Sequence, residues 1–139
     1  MRDPMEKAQK LLARLAVRKL AVDRPDLGIP VYRGLVTPGE MGWSVSIEGH
    51  PLDPRNDLFN HSPNGFAWGY AGSGPAQLAL ALLADYYRRR GMPDRTADQL
   101  AVKHHQFFKS AVIVHLERDE PWALTLADID AALRAPAGV

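Results

Sequence analysis

His50, Asp53, Asp57 and His61 fall within twelve residues of one another, in a segment with no regular hydrophobic period. Imidazoles and carboxylates are ligands that divalent metals accept, and a histidine steered by a carboxylate is a common general base. His61 as the base, with Asp53 or Asp57 to orient it, is the best catalytic set the sequence offers. Arg55 and Asn60 lie between them and add a fixed charge and an amide. The spacing argues against both chemistries. No HExxH repeat places two imidazoles on one helix face. No serine lies in GxSxG and the chain has no cysteine, so nothing marks a nucleophile or an oxyanion hole beside the histidine. Asp53-Pro54 and Asn60-His61-Ser62-Pro63 are also good turn sequences, in which Asp, Asn and Ser side chains bond their own backbone. The reading is therefore a self-bonded loop with Asp53, Arg55, Asn60 and His61 as binding candidates. No catalytic residue, metal or cofactor is assigned. A small-ligand or metal-dependent enzyme with its site in residues 50–65 stays as an alternative.

Two other groups invite a similar question. Gly72-Ser73-Gly74-Pro75 resembles an anion cradle at a helix N-terminus, but it lacks the Lys and Ser/Thr of a Walker motif. Small residues that let a buried helix pack closely explain it better. His104 and His105 are adjacent, hence about 100° apart on a helix, and cannot act as an i,i+4 ligand pair. One is expected at the core boundary and the other in solvent, with His115 a boundary residue.

The remaining charge is uneven. Residues 1–24 hold seven Lys/Arg against three acids, a balance of +4, and the rest hold ten against thirteen, a balance of −3. Pro4–Leu20 carries an apolar stripe (Met5, Ala8, Leu11, Leu12, Leu15) opposite Lys7, Lys10, Arg14 and Arg18, with Lys19 beside them. This basic amphipathic helix suits a partner groove or a phosphate backbone. No aromatic interleaves its charges, so base stacking is not indicated.

These groups must be positioned by the stretch Phe66–Arg90. It reads as a short aromatic strand (Phe66–Tyr70), a glycine turn and a helix opening at Pro75. Gly74 is then the N-cap and Gln77 reaches back to an orphan backbone donor. The run AQLALALLA is apolar nearly all round, so the helix is expected to be covered on several sides. Arg88–Arg90 meet the negative end of the dipole, Gly91 suits C′, and Pro93 stops the helix. Upstream, Asp23–Pro30 is a linker. Val31–Val36 and the alternating Trp43–Glu48 make a hairpin about a type II turn at Thr37–Glu40. Downstream, Asp94 caps a helix running to about His115, which the β-branched run Ala111–Leu116 could end sooner. Trp122–Leu124 is extended. Thr125 to Asp128 forms a capping box that opens a last helix, with a frayed tail from Ala135.

The fold class expected is α+β: a small antiparallel sheet of three to four short strands packed on a central buried helix, with about three further helices. Residues 1–24 form an extension and 25–139 a single compact domain. No 18-residue apolar run and no signal-peptide core are present, so no membrane contact and a cytoplasmic location are expected.

The string NHSPNGFAWGYAGSGPAQLALALLAD (Asn60–Asp85), preceded by PLDPRNDL (Pro51–Leu58), resembles a small family of unknown function found in bacteria, archaea and phages. FFKSAVIVHL (Phe107–Leu116) and WALTLADI (Trp122–Ile129) fit the same family. The resemblance covers roughly Val31 to Leu133 and implies an accessory protein rather than a metabolic enzyme. The leading expectation is a non-enzymatic binding protein, a phage or mobile-element accessory factor that docks on a host macromolecular complex, in transcription or defence, and modulates it. The alternative is nucleic-acid binding through Lys7, Lys10, Arg14, Arg18 and Lys19.

Overall fold

A computed structural model describes residues 29–37, 42–63 and 65–137. The basic helix expected at Pro4–Leu20, with Lys7, Lys10, Arg14, Arg18 and Lys19, and the turn at residues 38–40 lie outside them. The described residues form two compact units, 29–51 with 119–137, and Leu52–Arg118.

The first unit is a four-stranded antiparallel sheet and one helix. Its strands are β1 (Val31–Thr37), β2 (Gly42–Ile47), β3 (His50–Pro51) and β4 (Trp122–Thr125), in the order β3-β2-β1-β4. Tyr32 faces Ile47 and Leu124 across the ladders, and Gly34 faces Val45 and Trp122. All six are buried, whereas Leu35 and Ser44, opposite each other on the other face, are exposed. That is the period-2 pattern of a sheet with one face covered. Glu48 (φ 52°) and Gly49 (φ 78°) both take left-handed backbone, the requirement of the two-residue type I′ turn that joins β2 to β3. Pro51 has no N–H to continue the ladder. After β4, the Thr125 N–H donates to the Asp128 carboxylate (2.9 Å) and the Asp128 N–H to the Thr125 hydroxyl (3.2 Å). This is the expected capping box, and it opens the helix Leu126–Ala137.

The strand expected at Phe66–Tyr70 does not form; β3 and β4 are the third and fourth strands instead. Gly69 takes φ 84° and sends its N–H to the Ile113 carbonyl (3.0 Å), so the segment bends where a ladder would need it straight. The aromatic content that suggested a strand serves burial: Trp68 has no exposed surface.

The second unit is a helical hairpin, α1 (Ser73–Arg89) and α2 (Asp94–Ala111), crossed by the loop Leu52–Gly72; the C-terminal helix Leu126–Ala137 is α3. Every residue of α1 from Gly74 to Ala84 is buried, as its composition requires. The helix starts two residues earlier than its sequence suggests, with Gly72 as N-cap. Pro75 remains harmless, because the first four N–H groups of a helix have no partner within it. A Cβ on Gly74 would lie 2.7 Å from that of Ala67, so the small residues here serve close approach. At the far end Gly91 (φ 92°) donates to the Arg88 carbonyl (2.9 Å) and Met92 to that of Tyr87 (3.0 Å), a Schellman motif.

α2 follows Pro93, and Asp94 is its first residue rather than its cap. It stops at Ala111 instead of running to His115. Val112 leaves the helical region (φ −126°), and Ile113–His115 form one 3₁₀ turn. Branched side chains at 112–114 lose rotamer freedom in an α-helix, and Val112 and Ile113 are fully buried by the turn. His115 is exposed, not at a boundary. Among the described residues no helix is long and apolar enough to cross a membrane.

Candidate functional site

The loop is laid on the hairpin by one side chain. Gln77, with no exposed surface, donates through Nε2 to the carbonyls of Pro54 (2.6 Å) and Phe59 (3.0 Å). Its Oε1 accepts from the N–H groups of His61 (2.7 Å) and Ser62 (3.1 Å). An amide has two donors and two lone pairs, and all four are used. Gln77 therefore does not reach back along its own helix; the earlier start of α1 carries it past that position and toward the loop.

Arg55 makes the second attachment. Its guanidinium holds the Asp98 carboxylate on α2 through Nη1 and Nη2 (both 3.0 Å), and Asp57 through Nε (3.0 Å) and Nη2 (3.1 Å). These bonds hold the guanidinium even more firmly charged and keep the Asp57 carboxyl below its usual range. Asp53 accepts from the Arg55 N–H (2.9 Å), an Asx turn that supports the left-handed φ of 55° at Arg55. Asn56 donates to the Asn60 side chain (2.9 Å) and the Ser62 carbonyl (3.1 Å). Arg55→Lys is expected to lower stability by about 1–2 kcal/mol, because an ammonium cannot serve two carboxylates as a planar fork does. Urea denaturation measures it, and an unchanged midpoint would leave Arg55 as surface decoration.

The third attachment joins two histidines. His61 Nε2 lies 2.9 Å from His105 Nε2, and His105 Nδ1 lies 2.7 Å from the Val102 carbonyl. The carbonyl can only accept, so His105 is protonated on Nδ1 and offers Nε2 as a lone pair to a His61 Nε2–H. With ring centroids 5.1 Å apart, the nitrogen gap and the two ring radii account for nearly the whole separation. The rings thus meet almost head-on, the geometry of a hydrogen bond. Two ligands of one tetrahedral metal would instead aim at a common point off that line. Among the described residues no three His, Asp or Glu side chains gather as metal ligands.

Burial first, then His105 and Lys109, push His61 below the ordinary histidine value. The unfolded chain takes up this proton near pH 6.5 and the folded chain does so only at lower pH. The neutral ring's contribution to stability is complete above that value and is lost as pH falls through it toward the folded pKa. Stability should therefore decline from neutral pH into the mildly acidic range, and His61→Asn should flatten the decline. Parallel pH profiles of the denaturation midpoint would refute it.

The candidate residues thus meet different fates. Asp53 and Asp57 serve Arg55, so neither orients His61; His105 does. Asn60 buttresses the loop through Asn56. His50 pairs with Ile47 in the sheet. Of the adjacent histidines, His105 is the buried one and His104 is half-buried. The sequence reading missed Gln77 and Asp98 as anchors. A lone amide inside AQLALALLA was a usable signal for the first; nothing local marked the second.

Among the exposed side chains of this fastened loop, Phe59 is the large hydrophobic one with the greater exposure, ahead of Tyr70 at 36%. Phe59, whose carbonyl is bound to Gln77, is 52% exposed, and its ring stacks on that of His61 (4.1 Å between centroids, 18° between planes). Val102, 40% exposed, sits four residues after Asp98 and three before His105. Helical spacing puts all three on one stripe of α2. Phe59 in the loop and Val102 on the helix therefore both lie between the Arg55 and His61 attachments.

A model of the Family of unknown function (DUF6166) matches residues 32–135, spanning both units, and the chain belongs to that family. No curated protein and no solved structure matches it.

Proposed function

From that membership, which carries no activity with it, and from the loop geometry, we propose that the protein is a non-enzymatic binding protein, an accessory factor that docks on a macromolecular complex through the loop at Phe59. One observation carries the reading: the loop is held by Gln77, Arg55 and His61, yet its phenyl ring is left half in water. Recognition residues are commonly displayed on loops that a rigid scaffold positions, and aromatic side chains dominate binding hot spots. Val102, on the same stripe of α2 as Asp98 and His105, is a second exposed apolar side chain.

The rim favours a protein partner over a nucleic acid. Asp53, Asp57 and Asp98 carry three negative charges against the one positive charge of Arg55, a sum of −2 at that attachment and −1 when Lys109 near His61 is included. An acidic rim repels phosphates, and it complements a basic protein surface around an apolar pocket. A host complex of the transcription or defence machinery is the partner type we favour, as expected of a phage or mobile-element accessory factor.

The test is capture by the full-length chain, by Phe59→Ala and by Leu35→Ser, the last removing an exposed leucine on the sheet. A stoichiometric protein retained by the wild type and Leu35→Ser but lost with Phe59→Ala is the expected result. Equal retention by all three rejects the loop as the docking surface. Binding that instead disappears on removing residues 1–24 and falls steeply with salt would favour the nucleic-acid alternative.

A further inference from the structure

The ring on which Phe59 rests belongs to a pair whose geometry depends on how many protons it holds. Of the four ring nitrogens, His105 Nδ1 carries a proton because it faces a carbonyl at 2.7 Å. The two Nε2 atoms share a 2.9 Å line with room for one proton. With His61 Nδ1 bare, the pair is neutral and holds two protons. A third goes to His61 Nδ1 and leaves the shared proton in place, so the contact is kept, although burial, His105 and Lys109 all oppose that charge. A fourth can enter only the line between the rings, where two N–H groups would then face each other.

We infer that the His61–His105 contact is a proton-counting latch, closed with two or three ring protons and opened by the fourth, and that it sets the position of Phe59. The inference rests on Phe59 as the recognition side chain and adds a control over it. The groups around the pair oppose the last proton. Lys109 on α2 repels charge on His61, and the side chain reaching the pair's part of the loop from α1 is Gln77, which is neutral. His104 is the next residue around α2. The carboxylates Asp57 and Asp98 are occupied by Arg55 at the other attachment. On opening, His105 stays, because it is buried and tied to Val102. His61 is half-buried and on the loop, so its ring turns to water and takes the stacked Phe59 with it. The loop backbone stays in place, since the bonds from His61 and Ser62 to Gln77 involve no titrating group.

The test is a pH titration of the full chain by NMR with labelled His and Phe rings. The expected starting point is Nδ1–H on His105 and Nε2–H on His61, and the two rings should titrate in two coupled steps. The Phe59–His61 ring contact should survive the first step and vanish with the second. The His61 and Ser62 amides should stay protected throughout. His105→Leu should collapse the titration to one step and weaken the ring contact at every pH. Should that variant not fold, His61→Asn leaves His105 alone and must also give one step. Loss of the ring contact at the first step, its persistence through both, or an Nε2–H on neutral His105 overturns the latch, as does stoichiometric perturbation of both rings by Zn²⁺. Capture of a partner regardless of Phe59 would end the binding role while leaving the two-step titration intact, so the two failures are distinguishable.

Discussion

Gln77→Leu is expected to unfasten the loop. The substitution conserves shape and suits the apolar environment of α1, so the helix itself gains apolar surface. What it removes are the partners of four backbone groups: the carbonyls of Pro54 and Phe59 and the N–H groups of His61 and Ser62. An unsatisfied buried polar group costs roughly 1–3 kcal/mol, so leaving all four in place would exceed what docking of the loop returns. The loop then lifts and the groups hydrate, which caps the loss at about 2–4 kcal/mol, at the upper end of single-substitution effects. Urea denaturation gives the total, and amide exchange at His61 and Ser62 identifies the mechanism. Retained protection of those two amides would show that the loop is held without Gln77. Binding through Phe59 should weaken in the same variant, because a detached loop must be ordered again at the moment of contact.

Gly34→Ala should be nearly as damaging, for a steric reason. Alanine is normally favoured over glycine in a strand by roughly 0.5–1 kcal/mol, and Gly34 has no left-handed backbone to protect. Here the added Cβ would overlap Nε1 and Cε2 of Trp122 and lie 2.8 Å from Cδ1. Gly34 and Trp122 are directly opposed between β1 and β4, and both are buried, so the indole lies over the glycine in place of a side chain. Overpacking of this kind costs about 1–3 kcal/mol and outweighs the propensity gain. Trp122→Leu should relieve it. In a double-mutant cycle the penalty of Gly34→Ala should largely disappear in the Trp122→Leu background. Additive losses would mean that the indole does not occupy the space over Gly34.

The elements legible in the sequence share a cause: each is specified by residues a few positions apart. The burial of α1 follows from AQLALALLA, which has no polar face to show to water. The β1–β2 hairpin follows from the alternation of Trp43, Val45 and Ile47 with serines. The Schellman end at Gly91 and the Thr125–Asp128 box are written in four or five residues each. The missed strand at Phe66–Tyr70 shows the limit of such reading. Aromatic content is shared by strands and buried loops, and what separated them was a hydrogen bond from Gly69 to Ile113, far along the chain.

The site was legible only in part, and the reason is again distance along the chain. The sequence by itself determined the α+β class, the buried helix and a functional-looking loop containing Asp53, Arg55, Asn60 and His61. Tertiary structure alone decided what those residues do. Gln77 reads locally as a cap, but its four partners lie 15 to 23 residues upstream. Arg55 meets Asp98 across 43 residues and His61 meets His105 across 44. Local spacing fixes helices, caps and turns because their bonds close within a few residues. Which side chain orients a histidine, and which ring is left facing water, depends on where the loop comes to rest against the hairpin.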